Sequence, residues 1–325
     1  MTLFYVLLGI VLAVLAAAAM VGLYLNLVTR RIARQAERRV PPQGEFVEVD
    51  GERIHYVERG EGRPIVMLHG LGGSLHHMRR PLMDAFGPGY RVIAPDRPGS
   101  GYSTRRSGEG RLSEHARFVI GFLDALGLER PLLVGHSLGG AIALATALAH
   151  PDRVAGLALI APLTRRSPPK PEFAGLSIGS PLRRRLVAHT LAVPMSVKNA
   201  PQMLSFVFGP QEPPHDYAVE GGAMVGLRPS HFYAASTDYW GLRHELAEME
   251  ERYGELGMPV GVFFGTADRV LDHEQQGLSL VGRISGLDLE LADGIGHMPQ
   301  YVVTERVVAF VRRTAQRAFG DAPTP

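Results

Sequence analysis

Residues 3–28 carry no charged side chain, and this stretch restricts the chain more than any other feature in it. It exceeds the roughly 20 apolar residues that a helix needs to cross a bilayer, and in lipid an isolated segment can satisfy its backbone only as a helix. Tyr5 and Tyr24 stand near its ends, where interfacial aromatics collect. Arg30, Arg31, Arg34, Arg38 and Arg39 follow, a cluster that stops transfer and suits anionic head groups. A cleaved signal peptide would need a positively charged start, a shorter apolar core and small residues after that core. Here Met1-Thr2 has no charged side chain, and the alanines at 16–19 lie inside the apolar run. A buried core helix is the weaker alternative, because the segment is apolar on all faces and longer than most globular helices. Residues 1–40 are therefore expected to form a retained single-pass anchor with the bilayer as its partner. Because the arginines all follow the span, the positive-inside rule places the next domain in the cytoplasm. The pairs Gly9/Ala13 and Ala18/Gly22 have the small-xxx-small spacing that lets two helices approach, so a homodimer through this helix is an expectation.

From Phe46 onward the pattern changes to short apolar runs between turn residues. Residues 46–49 and 53–58 alternate around Asp50-Gly51, a hairpin signal. Further runs at 65–68, 91–94, 132–134, 157–160, 260–264 and 287–291 each end in a Gly-, Pro- or Asp-containing turn. Helix-length periodic segments such as 112–126 and 141–149 lie between them. Strands alternating with helices predict a mostly parallel α/β sheet with helices on both faces, made mixed by the initial hairpin. Residues 164–251 break this rhythm: they contain Pro-rich pieces and helical pieces such as 182–191, with no strand pattern. A segment that long is no loop and is expected to be an inserted helical lid. The predicted core then comprises 41–163 and 252–320, and 321–325 is expected to fray. The net charge is +2, which implies no nucleic-acid surface. The absence of cysteine excludes disulfides, thiol nucleophiles and Cys-ligated metals.

The chemistry centres on Gly135-His136-Ser137-Leu138-Gly139, which follows one apolar strand and opens a helix. In that context G-x-S-x-G is a sharp turn that lifts a serine hydroxyl above a sheet. A hydroxyl needs a base, and the base an orienting acid. His297, in Gly296-His297, follows the last strand, and Asp268, in Gly265-Thr266-Ala267-Asp268, follows the strand before it. Both stand at the strand ends that share an edge with Ser137. Asp272 and Asp293 are the rival acids and are more simply surface carboxylates. For a tetrahedral intermediate, two backbone N–H donors are needed; Leu138 offers one, and Leu71, in His69-Gly70-Leu71-Gly72-Gly73, offers the second. His69 is expected to be a structural turn residue and Asp96 a loop-bracing carboxylate. His76, His77, His215, His231 and His244 are expected on the surface or in packing. No metal-ligand cluster appears, so neither metal nor cofactor is expected.

These motifs, in this order, resemble the α/β-hydrolase superfamily: the H-G-L-G-G loop, D-R-P-G-S-G-Y-S at 96–103, G-H-S-L-G-G, G-T-A-D-R-V at 265–270 and Gly296-His297. The resemblance covers about 46–318. It implies that 164–251 covers the active site. Serine at 137 departs from the epoxide hydrolases and haloalkane dehalogenases of this superfamily, whose nucleophile is aspartate. The anchor and the arginine-rich stretch resemble the membrane-anchored bacterial phospholipase A enzymes and are also similar to the anchored monoacylglycerol lipases. The first group implies a periplasmic catalytic domain on the inner membrane, against the arginine distribution; the second implies a cytosolic one. The resemblance therefore implies a serine hydrolase acting on acyl esters of lipids, with a monoacylglycerol lipase or generic carboxylesterase as alternatives. Cleavage of carbon–carbon bonds by the same three residues is a further alternative, and a non-catalytic membrane-bound scaffold is one from another class.

Overall fold

The computed structural model describes residues 2–320, so the predicted frayed tail at 321–325 lies outside the described residues. Strands β1 (Glu45–Val49) and β2 (Glu52–Arg59) form the expected hairpin. Both turn residues have positive φ, Asp50 at 51° and Gly51 at 78°, as a two-residue hairpin matched to strand twist requires. The remaining strands are β3 (Arg63–Leu68), β4 (Tyr90–Pro95), β5 (Leu132–His136), β6 (Gly156–Ile160), β7 (Val260–Gly265) and β8 (Asp288–Ala292). They form one sheet of order β1-β2-β4-β3-β5-β6-β7-β8. Only the β1–β2 and β2–β4 pairings are antiparallel; the other neighbours run parallel.

Alternation along the strands builds a core on each face. Leu133, Leu157, Leu159, Val262 and Phe264 pack with helices α3 (Leu112–Ala125) and α4 (Leu138–Ala149). Leu132, Val134, Ala158, Ile160 and Phe263 pack on the other face, against α2 (His76–Leu82) and the C-terminal helix Thr304–Phe319. In α3 the buried Leu112, Ala116, Val119, Phe122 and Leu123 follow a helical period. The helix stops at Gly127, whose φ of 61° lets Leu128 N–H return to Leu123 O at 2.8 Å. Helix α4 is buried on every side, which suits its Leu- and Ala-rich sequence.

Between β6 and β7 the chain has no strand. It forms α5 (Pro181–Val187), one π turn (Ala188–Ala192), α6 (Val193–Phe208), α7 (Pro229–Gly241) and α8 (Leu246–Glu251). The first helix, α1 (Thr2–Arg39), is unbroken. Its 38 residues correspond to about 57 Å, nearly twice the roughly 30 Å of a bilayer's hydrocarbon core. None of its most apolar window is buried in the protein. Its second half behaves differently. Asn26 Nδ2 donates to His189 O at 3.0 Å, and Thr29 Oγ1 donates to Thr190 O at 2.8 Å. Ala33 and Ala36 are buried, and Glu37 pairs with Arg228 at 2.8 Å. The arginine-rich stretch thus continues the helix and docks it on the inserted segment, while Arg30, Arg31 and Arg34 stay exposed on its free side. Asn26 and Thr29 thus both meet carbonyls of the π turn, where the regular helical ladder is interrupted.

Candidate active site

The turn after β5 puts Ser137 at φ 54°, ψ −118°, a conformation that costs a non-glycine residue energy. The surroundings hold it there: Ser137 N–H donates to Ile160 O at 3.1 Å, and Ser137 O accepts from Leu163 N–H at 3.0 Å. The motif's two glycines are required by close approach. A Cβ at Gly135 would fall 2.4 Å from Gly139 O, and one at Gly139 would fall 2.1 Å from Leu68 O.

His297 and Asp268 are brought together. Asp268 Oδ2 lies 2.7 Å from His297 Nδ1, and both side chains are buried. A carboxylate only accepts, so Nδ1 carries the proton and Nε2 is left as a base. The other oxygen of Asp268 accepts from Val270 N–H and Leu271 N–H at 2.8 and 2.9 Å, which fixes the carboxylate. Gln211, from the inserted segment, holds the histidine loop through Gly296 N–H (3.0 Å) and Gly294 O (2.7 Å). Ser137 and His297 line one cavity of about 570 Å³. Leu71 also lines it, and Leu138 opens α4, so its N–H has no intrahelical acceptor. The rival acids lie in other roles: Asp272 caps the short helix at His273–Gln276, and Asp293 accepts from Thr266 Oγ1 at 2.9 Å.

The loops around the serine are braced by buried polar groups. Asp96 accepts from Leu75 N–H (2.8 Å), Tyr102 N–H (2.9 Å) and His55 Nδ1 (2.7 Å). His69 Nε2 accepts from Arg97 N–H at 3.0 Å, so its protonated Nδ1 donates to Gly70 O at 2.9 Å. These are the bracing roles expected of Asp96 and His69.

Three groups escaped the sequence. The first is a buried cluster that ties the inserted segment to the Gly70–Leu71 loop. Arg97 donates to His69 O (3.1 Å), Gly70 O (2.9 Å) and Asp238 Oδ2 (2.6 Å), and Asp238 Oδ1 accepts from Arg105 (2.6 Å) and His115 Nε2 (3.1 Å). Burial alone would raise the Asp238 pKa, but its cationic and hydrogen-bonding neighbours outweigh it and hold the carboxyl well below its ordinary 3.8. His115 is itself lowered by burial, so at neutral pH it is an uncharged donor, and the two arginines supply the compensating charge. Because folding lowers the Asp238 pKa, its contribution to stability is complete above about pH 4. It is lost only as pH falls through the depressed folded value. Asp238→Ala would leave Arg97 buried and unpaired, a change that typically costs about 3–5 kcal/mol. The expected result is a thermal midpoint about 10 °C lower, read by circular dichroism in detergent. A midpoint within about 2 °C of wild type would contradict this account of the cluster.

The second group is His77 and Tyr217, which line the cavity and share a 2.8 Å hydrogen bond. Burial, with smaller contributions from His231 and His76, pushes His77 down to about 3, so it is neutral there. The third is His136, inside the motif itself. Its Nε2 donates to His297 O at 3.0 Å, and its Nδ1 is buried with no partner against the cavity wall. Burial, then the charge of His297, keeps it well below its ordinary value.

The chain matches the alpha/beta hydrolase fold family over residues 63–302. It is 32% identical over 272 residues to a 2-hydroxy-6-oxo-6-phenylhexa-2,4-dienoate hydrolase of Burkholderia cepacia, covering 81% of this chain and 90% of that one. It is 40% identical over 123 residues to the dihydrolipoyllysine-residue acetyltransferase component of the acetoin cleaving system of Cupriavidus necator, spanning only 32% of that protein. Among solved structures, a bacterial membrane phospholipase A superposes with a TM-score of 0.67 at 25% identity, over 97% of this chain and 99% of that one. The family match, the mostly parallel sheet and the serine on its strained turn agree: the chain belongs to the α/β-hydrolase family.

Proposed function

We propose that the protein is a membrane-anchored serine hydrolase that cleaves acyl esters of lipids, phospholipids and lysophospholipids among them. Ser137 is the nucleophile, His297 the base, Asp268 its orienting partner, and the N–H groups of Leu71 and Leu138 the oxyanion donors. Ser137 Oγ attacks the ester carbonyl as its proton passes to His297 Nε2. The oxyanion forms against the two N–H groups. The bond to the alcohol then breaks, with the proton of His297 going to the leaving oxygen. Water attacks the acyl-enzyme by the same route and releases the fatty acid.

The observation that carries the lipid reading is the joint placement of cavity, lid and anchor. The 570 Å³ cavity runs from Ser137 along α6, past Met195, Met203, Leu204 and Val207. Those apolar side chains suit an acyl chain, and the methionines adapt to chains of different length. Leu191 and Met195 line this cavity and are exposed. With Leu182 and Leu186 they form an exposed apolar series at steps of four, five and four residues, the five-residue step crossing the π turn. That π turn is where α1 docks. An apolar surface beside a membrane-spanning helix belongs at the bilayer boundary.

A second reading, hydrolysis of a carbon–carbon bond, is favoured by the 32% identity to the dienoate hydrolase. A substrate panel separates the two. Octanoyl monoacylglycerol, a lysophospholipid and a phospholipid of medium chain length are expected to release fatty acid, undiminished by EDTA. An aryl dienoate of the relative's type is expected to be untouched. Turnover of the dienoate alone would reverse the assignment, and activity confined to acetyl esters would leave a carboxylesterase without a lipid role.

A further inference from the structure

The cavity along α6 accounts for half of an ester. The fragments on either side of a carbonyl leave it in two directions, so a site that covers both needs two arms meeting at the nucleophile. A second cleft, of about 390 Å³, does meet the first at Ser137. Leu71, Phe173 and Val270 line both arms and form the partition between them, whereas Leu138 lines only the second. Its inner part is apolar, with Leu163, Leu242 and Leu246, and its outer part carries Arg166, Lys170 and Arg243.

The charge of this second arm is one-sided. No aspartate or glutamate lines it, and among the described residues none of the three cations pairs with a carboxylate. The neighbouring Arg165, by contrast, is neutralised by Glu250 at 3.0 Å. Arg243 is also held in place: its guanidinium lies 4.2 Å from the Trp240 ring centroid and donates to Ser177 Oγ at 2.6 Å. Three unneutralised cations around a cleft with low-dielectric walls focus a positive potential into it, and guanidinium groups bind phosphate and carboxylate oxygens in pairs.

We propose that this arm receives the alcohol half of the substrate and selects for an anionic group on it, a phosphate or carboxylate a few bonds beyond the ester oxygen. The inference rests on the ester-hydrolase reading above and adds which half of the ester lies where and what charge it carries. The acyl half occupies the arm along α6. The alcohol half, once its oxygen has taken the proton from His297, leaves past Arg166, Lys170 and Arg243.

The test uses the full-length enzyme in a neutral detergent and three soluble octanoyl esters that differ only in the alcohol: glycerol, glycerol 3-phosphate and 3-hydroxypropionate. For wild type, kcat/KM is expected to be higher for one or both anionic esters than for the glycerol ester, and the advantage to shrink as salt screens the cleft. In the combined variant R166Q/K170Q/R243Q, the ratio of anionic to neutral kcat/KM is expected to fall about tenfold, chiefly through KM. A ratio is insensitive to general damage, which lowers both terms together. A preference for the phosphate ester assigns the group to a phospholipid-type head, and a preference for the carboxylate assigns it to an acidic small-molecule alcohol. An unchanged ratio in the variant, or no anionic preference in wild type, would overturn the inference while leaving ester hydrolysis intact. Failure of wild type on all three esters would instead remove the reading on which it rests.

Discussion

Ser137→Ala is expected to reduce ester hydrolysis by about 10⁴-fold or more, with the fold retained. The φ of 54° is strained for serine and alanine alike, so the substitution brings no new backbone cost. Its backbone bonds to Ile160 and Leu163 involve no side-chain atom and survive. What disappears is the hydroxyl at the junction of the two arms, Ser137 being the one hydroxyl residue among the described residues that lines both. The checks are turnover of p-nitrophenyl octanoate and labelling by a fluorophosphonate, alongside a thermal melt. Residual turnover within tenfold of wild type would exclude Ser137 as nucleophile.

Asp268→Asn is expected to lower turnover by about 10³–10⁴-fold, again without unfolding. The amide oxygen can keep the bonds from Val270 and Leu271 N–H. The amide nitrogen then faces His297 Nδ1, which must accept instead of donate. The histidine is held in the other tautomer, and its Nε2 becomes a donor that cannot take the proton of Ser137. Asp272→Asn should be mild, because asparagine caps a helix as well as aspartate does, and Asp293→Asn loses only an exposed contact with Thr266. If Asp293→Asn proved the damaging change, the acid would be misplaced.

Much of this arrangement is legible in the sequence because it is local. Asp50-Gly51 announces its hairpin through the backbone conformation it permits, and Gly135 and Gly139 announce a turn in which only glycine fits. The order of short apolar runs foretells a mostly parallel sheet, and strand ends place Asp268 and His297 on one edge. The cluster of Arg97, Arg105, His115 and Asp238 was not legible, since Asp238 lies more than a hundred positions from the other three and meets them only when α7 closes on the core. Docking of α1 was hidden for a related reason. Asn26 and Thr29 read as the polar end of an apolar span, and nothing local says that their partners are the carbonyls of His189 and Thr190. An amide in so apolar a helix is the one hint, because such groups seek a partner. His77, expected on the surface or in packing, lines the cavity; histidine alone carries no positional signal.

The union of α1 with the inserted segment also bears on how the protein must be handled. A detergent belt that coats the bare half of α1 reaches the residues beside Asn26, and Leu182, Leu186, Leu191 and Met195 offer it a continuous place to spread. Because Leu191 and Met195 are also walls of the cavity along α6, the solubilising agent and the proposed acyl chain would occupy adjoining ground. On the proposed function, alkyl chains of the detergent are then expected to compete with a strength that follows their length and their free concentration. Rates compared between preparations report the enzyme only when the surfactant is matched, and a bilayer nanodisc is the medium that removes the competition.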